Sequence, residues 1–333
     1  MQAVQPVRPA VDIHCCRSID EQARLLESWN QTYCQISRGA FDGSVSSVHA
    51  GAVRILVERM NRAVYQRGCV DVSRIAVGIP FQLEGHALLC GQVSHLDGLH
   101  LFSGPGGFEF LSPDKHVVVN LEIAPRELSD PLLRLAMDNV QQALGNQPGV
   151  LNADPHRLKA FRGTLAGLLD AVTSNPSTLA DPGVCASFER SVIVGLSDLL
   201  VDVSDTDTRT GPRIGPRIGP SRNWKLVGAV RELVEASADC PLSVADLCLR
   251  LGVSRRTVQY AFDEILGTNP ASYLRAVRLD RVRKDLLQAG SVTDAATRWG
   301  FWHFGHFSND YREQFGELPS ETLRRLRNGA GRS

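Results

Sequence analysis

The chain has 333 residues, 43% hydrophobic and 22% charged, the balance of a globular protein with room for about two domains. Its formal charge of zero is unevenly placed. Residues 1–202 carry 16 Lys and Arg against 21 Asp and Glu, and residues 223–333 carry 16 against 13. A slightly basic end behind an acidic body suits phosphate contact, whereas a non-specific DNA-packaging protein needs a larger positive charge. No apolar run has the length to span a bilayer. The first residues, MQAVQPVRPAVDIHCC, lack an apolar core segment, so no secretory signal and no membrane partner are expected, and the cytoplasm is the expected compartment.

The eight cysteines, Cys15, Cys16, Cys34, Cys69, Cys90, Cys185, Cys240 and Cys248, form no CxxC pair. Structural zinc favours close-spaced pairs of thiolates, so no metal or other cofactor is expected. In a cytoplasmic chain such cysteines act as reduced, small hydrophobes. Adjacent Cys15 and Cys16 after His14 also admit a reading as a thiol sensor or metal site.

From about residue 39 to 124 the pattern is that of strands. SVSSVHAGAVRILVERM, RIAVGIPF, HALLCGQV, HLFSG, FEFLS and HVVVNLEI are short, apolar and separated by Gly, Pro or Asp-Gly turns. They predict a small antiparallel barrel or sandwich. From about 129 to 203, PLLRLAMDNVQQAL, PHRLKAFRGTLAGLLDAV and VCASFERSVIVGLSDLL repeat apolar residues every three or four positions and predict helices. These either cover the barrel or form a homodimer surface. Residues 203–222, VSDTDTRTGPRIGPRIGPSR, repeat GPRI and cannot bury a core, so a flexible linker is expected.

After the linker the chain carries one pattern twice. Residues 242–264 read LSVADLCLRLGVSRRTVQYAFDE, and residues 291–313 read SVTDAATRWGFWHFGHFSNDYRE. Each is a short apolar helix, a turn at a glycine (Gly252, Gly300) and a second helix with a polar N-terminal face. That is a helix-turn-helix, whose second helix enters the major groove of double-stranded DNA. In the first copy Ser254 is the expected N-cap and an expected DNA contact, and Val258, Phe262 and Ile265 form the core face. Arg255, Arg256, Gln259 and Tyr260 are left off the core. Arginine pairs with guanine O6/N7 and glutamine with adenine N6/N7, so Arg256 and Gln259 are expected on bases, with Tyr260 beside them and Arg255 equally suited to phosphate.

A long helix over about 270–288, with an apolar stripe of Leu274, Val277, Val282 and Leu286, is expected to hold the two copies about one DNA turn apart. In the second copy Phe301 plugs the core, Phe307, Tyr311 and Phe315 are the expected buried face, and Trp302, His303, Phe304, Gly305, His306 and Asn309 are exposed, where His303, Phe304, His306 and Asn309 are expected to reach bases, stack or contact thymine methyls. His303 and His306 stand at i, i+3 without a third ligand nearby, so a phosphate or base contact is expected of them rather than metal. This helix has fewer base-reading side chains and is expected to add affinity more than specificity.

At these residues the chain resembles the AraC/XylS family of bacterial transcription regulators. The resemblance covers about residues 224–328 and is carried by Gly300-Phe301, Phe307-Ser308, Tyr311-Arg312, Phe315-Gly316 and Pro319-Ser320. Phe304 and Gly305 depart from it, standing where polar residues are common. The resemblance implies sequence-specific binding of promoter DNA and activation through RNA polymerase. It also implies an N-terminal domain, often a cupin-like barrel, for an unidentified small-molecule effector or for homodimerisation. The N-terminal region is loosely similar to regulators of ethanolamine-utilisation operons, from which no ligand is carried over. His86, His95, His100 and His116, with Glu84, lack the HxH spacing of cupin metal sites.

The expected fold class is therefore α+β. A β-barrel-like domain with helices spans 1–202, a linker spans 203–222, and an all-α domain with two helix-turn-helix motifs spans 223–328. The expected function is that of an effector-responsive transcription regulator, not an enzyme. The competing reading is a DNA-repair methyl acceptor fused to a similar reading head. It requires a zinc-held cluster of four cysteines, which the spacing here does not provide.

Overall fold

The computed structural model describes residues 11–104, 106–145, 147–204, 221–237, 241–286, 288 and 291–330. Most of the linker expected over 203–222 lies outside them. The chain divides into two compact units that do not follow it linearly. One holds Met1–Thr32, Asp42–Asn61 and Gln66–Ile218, and the other holds Tyr33–Phe41, Arg62–Tyr65 and Gly219–Ser333.

The elements of the first half are β1 (Val11–Cys16), α1 (Ile19–Leu25), β2 (Thr32–Gln35), β3 (Gly43–Ala50), β4 (Val53–Met60), β5 (Val64–Gly68), β6 (Ile75–Glu84), β7 (Leu88–Leu89), β8 (Gln92–Val93), β9 (Gly98–Leu101), β10 (Phe108–Leu111), β11 (Lys115–Ile123), α2 (Pro131–Leu144), β12 (Gly149–Asn152), α3 (Pro155–Ser174) and α4 (Pro182–Ser204). One sheet has the order β1-β3-β4-β11-β6-β9-β12 and the other β2-β5-β10-β7-β8. The two share no ladder among the described residues, so the expected barrel is an open, barrel-like pair of sheets. The hairpin β3–β4 closes at Gly51, whose φ of +58° a residue with a Cβ adopts only at a cost.

Side-chain alternation along β11 sorts the interior into two layers. Val119, Leu121 and Ile123 join Ile55, Val77, Ile79 and Leu99 in the core that α2, α3 and α4 cover through Met137, Leu158, Phe161, Val192 and Leu196. The alternate residues His116, Asn120 and Glu122 face the other way, and all three are buried. There Glu122 accepts from Trp29 Nε1 at 2.5 Å and from Ser28 at 2.9 Å. Trp29, Leu56, Phe102, Phe108 and Phe110 fill the rest of that layer.

The three helices start on one repeated signal, aspartate then proline. Asp130, Asp154 and Asp181 accept hydrogen bonds from backbone amides of the first turn, and Pro131, Pro155 and Pro182 follow them. Proline at the first helical position gives up a donor that has no helical partner there, and the aspartate satisfies another.

Four strands had no counterpart in the sequence pattern: β1, β2, β5 and β12. β1 places Cys15 on an exposed face and Cys16 on a buried one, as adjacent strand residues must lie. Burial pushes the Cys16 thiol up to about 11.

The helices of the second half are α5 (Arg222–Ala236), α6 (Val244–Leu251), α7 (Arg255–Leu266), α8 (Pro270–Asp285), α9 (Val292–Arg298), α10 (Phe304–Phe315) and α11 (Pro319–Ala330). Among the described residues no helix is long and apolar enough to cross a membrane.

Candidate nucleic-acid interface

Both helix-turn-helix motifs lie in the second unit, and each is assembled by local chemistry. In the first, Ser243 caps α6 with a reciprocal capping box: Asp246 N donates to Ser243 Oγ, and Ser243 N donates to Asp246 Oδ2 at 2.8 Å. Gly252, at φ +63°, ends the helix in the left-handed region. Ser254 then caps α7, its Oγ accepting from Thr257 N at 3.1 Å and lying 2.8 Å from the Thr257 hydroxyl. Its hydroxyl is thus already engaged in holding the helix start. Val258, Ala261, Phe262 and Ile265 are the buried face of α7.

On the opposite face Arg255, Arg256, Gln259 and Tyr260 are exposed, Tyr260 to 66%. No hydrogen bond or ion pair with a described residue holds Arg255, Arg256 or Gln259. Two guanidiniums and an amide therefore stand unpaired on one solvent-facing surface of a rigid, capped helix.

The second motif has a weaker start. Ser291 caps α9 through Asp294 N at 3.1 Å, and Gly300, at φ +77°, makes the turn. A Cβ there would meet Pro241 at 3.1 Å. The N-cap of α10 is His303, which makes no side-chain cap hydrogen bond. Phe307, Tyr311, Gln314 and Phe315 are buried, and the phenol of Tyr311 donates to Thr322 at 3.0 Å. Trp302, His303, Phe304, Gly305, His306 and Asn309 are exposed, Trp302 to 69% and Phe304 to 43%. The rings of His303 and His306 lie 6.4 Å apart, edge to face. No group of three metal-ligating side chains occurs among the described residues.

Between the motifs α8 is shorter than expected, ending at Asp285. Its apolar surface is also two-sided rather than a single stripe. Tyr273 packs edge-on against Phe262 of the first motif, with centroids 5.2 Å apart. Leu279, Val282 and Leu286 join the core of the second motif with Ala295, Trp299 and Phe307. Val277 is only half buried, and Leu279 takes the place expected of it. A helix packed on two sides cannot show one 3.6-residue stripe.

The basic residues of α8 are largely committed to protein. Arg275 is ion-paired with Asp310. Arg278, Arg281 and Arg283 lie over the rings of Phe301, Trp299 and Phe315 at 4.7–5.3 Å, and Lys284 pairs with Asp280 at 2.7 Å. Asp285 accepts from Trp299 Nε1 at 2.7 Å and from Arg298 at 3.1 Å. The unpaired cations of α7 thus stand apart from the stacked and paired cations of α8.

Sequence pattern did not show that residues 33–41 and 62–65 belong to this unit. Gln35 bonds to Gln314 on α10, Arg38 pairs with Glu313 at 2.7 Å, and Lys284 donates to the Tyr33 carbonyl at 3.4 Å. The Arg231 guanidinium on α5 lies over the Tyr65 ring at 4.7 Å. Arg231 and Gln314 are polar residues buried on otherwise apolar faces of α5 and α10.

The sequence is similar to those of known proteins. Residues 247–325 match the family described as "Helix-turn-helix domain". The chain is 36% identical over 282 residues to the XylDLEGF operon transcriptional activator 3 of Pseudomonas putida, covering 78% of this chain and 80% of that protein. It is 44% identical over 106 residues to the Probable thc operon regulatory protein of Rhodococcus erythropolis, covering 30% of this chain and only about a third (32%) of that protein. A probable AraC family transcriptional regulator from Rhodopseudomonas palustris CGA009, solved by crystallography, is 37% identical over 31% of this chain and 97% of its own, with a TM-score of 0.29. The protein is a helix-turn-helix protein with two such motifs in one unit. It belongs to the AraC/XylS family of transcriptional regulators.

Proposed function

We propose that the protein binds promoter DNA sequence-specifically through α7 and α10 and regulates transcription, as an activator whose output depends on a small-molecule effector. The observation that carries this reading is the exposed, unpaired row of Arg255, Arg256 and Gln259 on a helix fixed by the Ser254 cap. Unpaired guanidiniums on a rigid helix offer bidentate donors to base edges and phosphates without first breaking a protein ion pair. Arg256 and Gln259 read bases, Tyr260 lies beside them, and Arg255 anchors on phosphate. At the start of α10 and just before it, Trp302, His303, Phe304, His306 and Asn309 supply apolar and polar contact to the next groove segment.

The domain assignment that goes with this is an effector and dimerisation domain over 1–202, a linker over 203–222 and a DNA-binding domain over 223–328. RNA polymerase is the downstream partner, a homodimer is the working form, the cytoplasm is its place, and the protein is not an enzyme. Family membership and the printed activator name of the Pseudomonas putida relative support these assignments.

The test is selection of bound duplexes from a random library by the full chain. The reading expects one enriched motif with two contacted segments about 10 base pairs apart. Retention of all sequences alike, falling uniformly with salt, overturns it.

A further inference from the structure

Outside the reading head the first unit contains a cavity of about 670 Å³. It opens between the start of β6, the segment that follows β9, and α2. Its volume falls within the range of sites for small organic ligands. The floor is apolar and buried: Ile75, Leu101 and Leu144. The rim carries three guanidiniums, those of Arg74, Arg126 and Arg134.

These arginines are poorly compensated. Arg126 is exposed and makes no hydrogen bond or ion pair with a described residue. Arg134 spends one donor on the Ser129 carbonyl at 3.2 Å. Arg74 reaches Glu127 only at 3.8 Å. Two carboxylates also line the cavity. Asp71 is occupied by the amide and hydroxyl of Ser73 at 2.8 and 2.7 Å, hydrogen bonds that favour its charged form. Asp138 sits one turn from Arg134 on α2 and forms no ion pair with it. An apolar floor beneath an excess of guanidinium donors selects a ligand with an apolar body and a single anionic head, because only that combination fills both surfaces.

We propose that this cavity is a binding site for a small organic anion, with Arg126 and Arg134 holding the anionic head and Ile75, Leu101 and Leu144 contacting the apolar body. That such a ligand acts as the effector rests on the proposed regulatory reading. The binding itself does not.

The experiment uses the full chain without DNA and two fluorescent probes of one shape. One is 8-anilinonaphthalene-1-sulfonate, an anion, and the other is N-phenyl-1-naphthylamine, the same skeleton without the sulfonate. The proposal expects saturable binding of the sulfonate at one site per chain. It expects binding of the neutral probe weakened at least about tenfold, and a similar loss of sulfonate affinity in the Arg126→Glu/Arg134→Glu double variant. Bound sulfonate is expected to slow amide exchange in 70–76 and 131–145.

Both arginines are exposed, so the variant is expected to keep its circular dichroism and melting temperature, and Arg126→Lys/Arg134→Lys to recover most of the affinity. Equal affinity for both probes, unchanged affinity in the folded charge-reversed variant, or exchange protection confined to other segments overturns the proposal. None of these outcomes bears on whether the chain selects a DNA sequence, so the two readings fail separately.

Discussion

Gln35 and Gln314 hold each other by a reciprocal pair of hydrogen bonds. The side-chain amide of Gln35 donates to the Gln314 carbonyl at 2.8 Å, and the side-chain amide of Gln314 donates to the Gln35 carbonyl at 3.0 Å, although 279 residues separate them. Both are nearly inaccessible, at 1% and 4% exposure. Gly39 N also donates to the Gln314 carbonyl at 3.1 Å. Gln314 lies on the buried face of α10, with Phe307 and Tyr311, while Phe304 and His306 are exposed. The clasp therefore fixes α10 from its buried side.

Gln314→Ala removes one donor and leaves the Gln35 carbonyl unsatisfied in a buried place, a change that costs about 1–3 kcal/mol. Urea unfolding of the full chain is expected to show a lower midpoint with the slope unchanged. An unaltered midpoint contradicts a stabilising role for the clasp.

Arg256→Ala is expected to weaken binding to the selected duplex by about 1–3 kcal/mol and to relax preference at one base position. Fluorescence anisotropy with the selected and a scrambled duplex measures both. The loss is expected on the selected duplex and to be small on the scrambled one. Equal losses on the two remove the base-reading role.

Trp302→Ala and Phe304→Ala are expected to behave differently. Each exposed ring that covers about 40 Å² of DNA contributes about 1 kcal/mol at roughly 25 cal/mol per Å². The loss is expected on selected and scrambled duplexes alike, because α10 carries few hydrogen-bonding readers. A loss restricted to the selected duplex assigns sequence reading to α10 instead.

His100 and His116 make the stability of the sheet unit pH-dependent. Burial holds them neutral, lowering His100 to about 3 and His116 to about 4 from the ordinary 6.5. In the unfolded chain both take up protons near pH 6.5, whereas the folded chain resists until about pH 4 and then 3. Their contribution is thus complete above pH 6.5 and lost as pH falls from there, with a slope of up to about 1.4 kcal/mol per pH unit for each. Urea midpoints at pH 7.5, 6 and 5 are expected to decline, and His116→Gln to flatten the decline. An equal decline in that variant assigns it to other groups.

Much of the reading head was legible in the residues themselves. Ser243, Gly252 and Ser254 start and stop helices through bonds that reach three or four positions along the chain, and the buried face of α7 repeats with the period of one helix. Chemistry that short in range is written in local order. The strands between 39 and 124 other than β5 were legible for the same reason, as apolar runs between glycines, and so were the three helices that follow an Asp-Pro pair.

What only the tertiary structure decided depends on residues far apart in sequence. The two-sided burial of α8 comes from its position between two motifs. The short strands β1, β2, β5 and β12 exist because strands far from them in sequence offer them backbone partners. The inclusion of Tyr33–Phe41 and Arg62–Tyr65 with the reading head, and the convergence of Arg74, Arg126 and Arg134 on one cavity, leave no period or spacing in the sequence. Side chains brought together by long-range packing share an environment, and one-dimensional order carries no record of that environment.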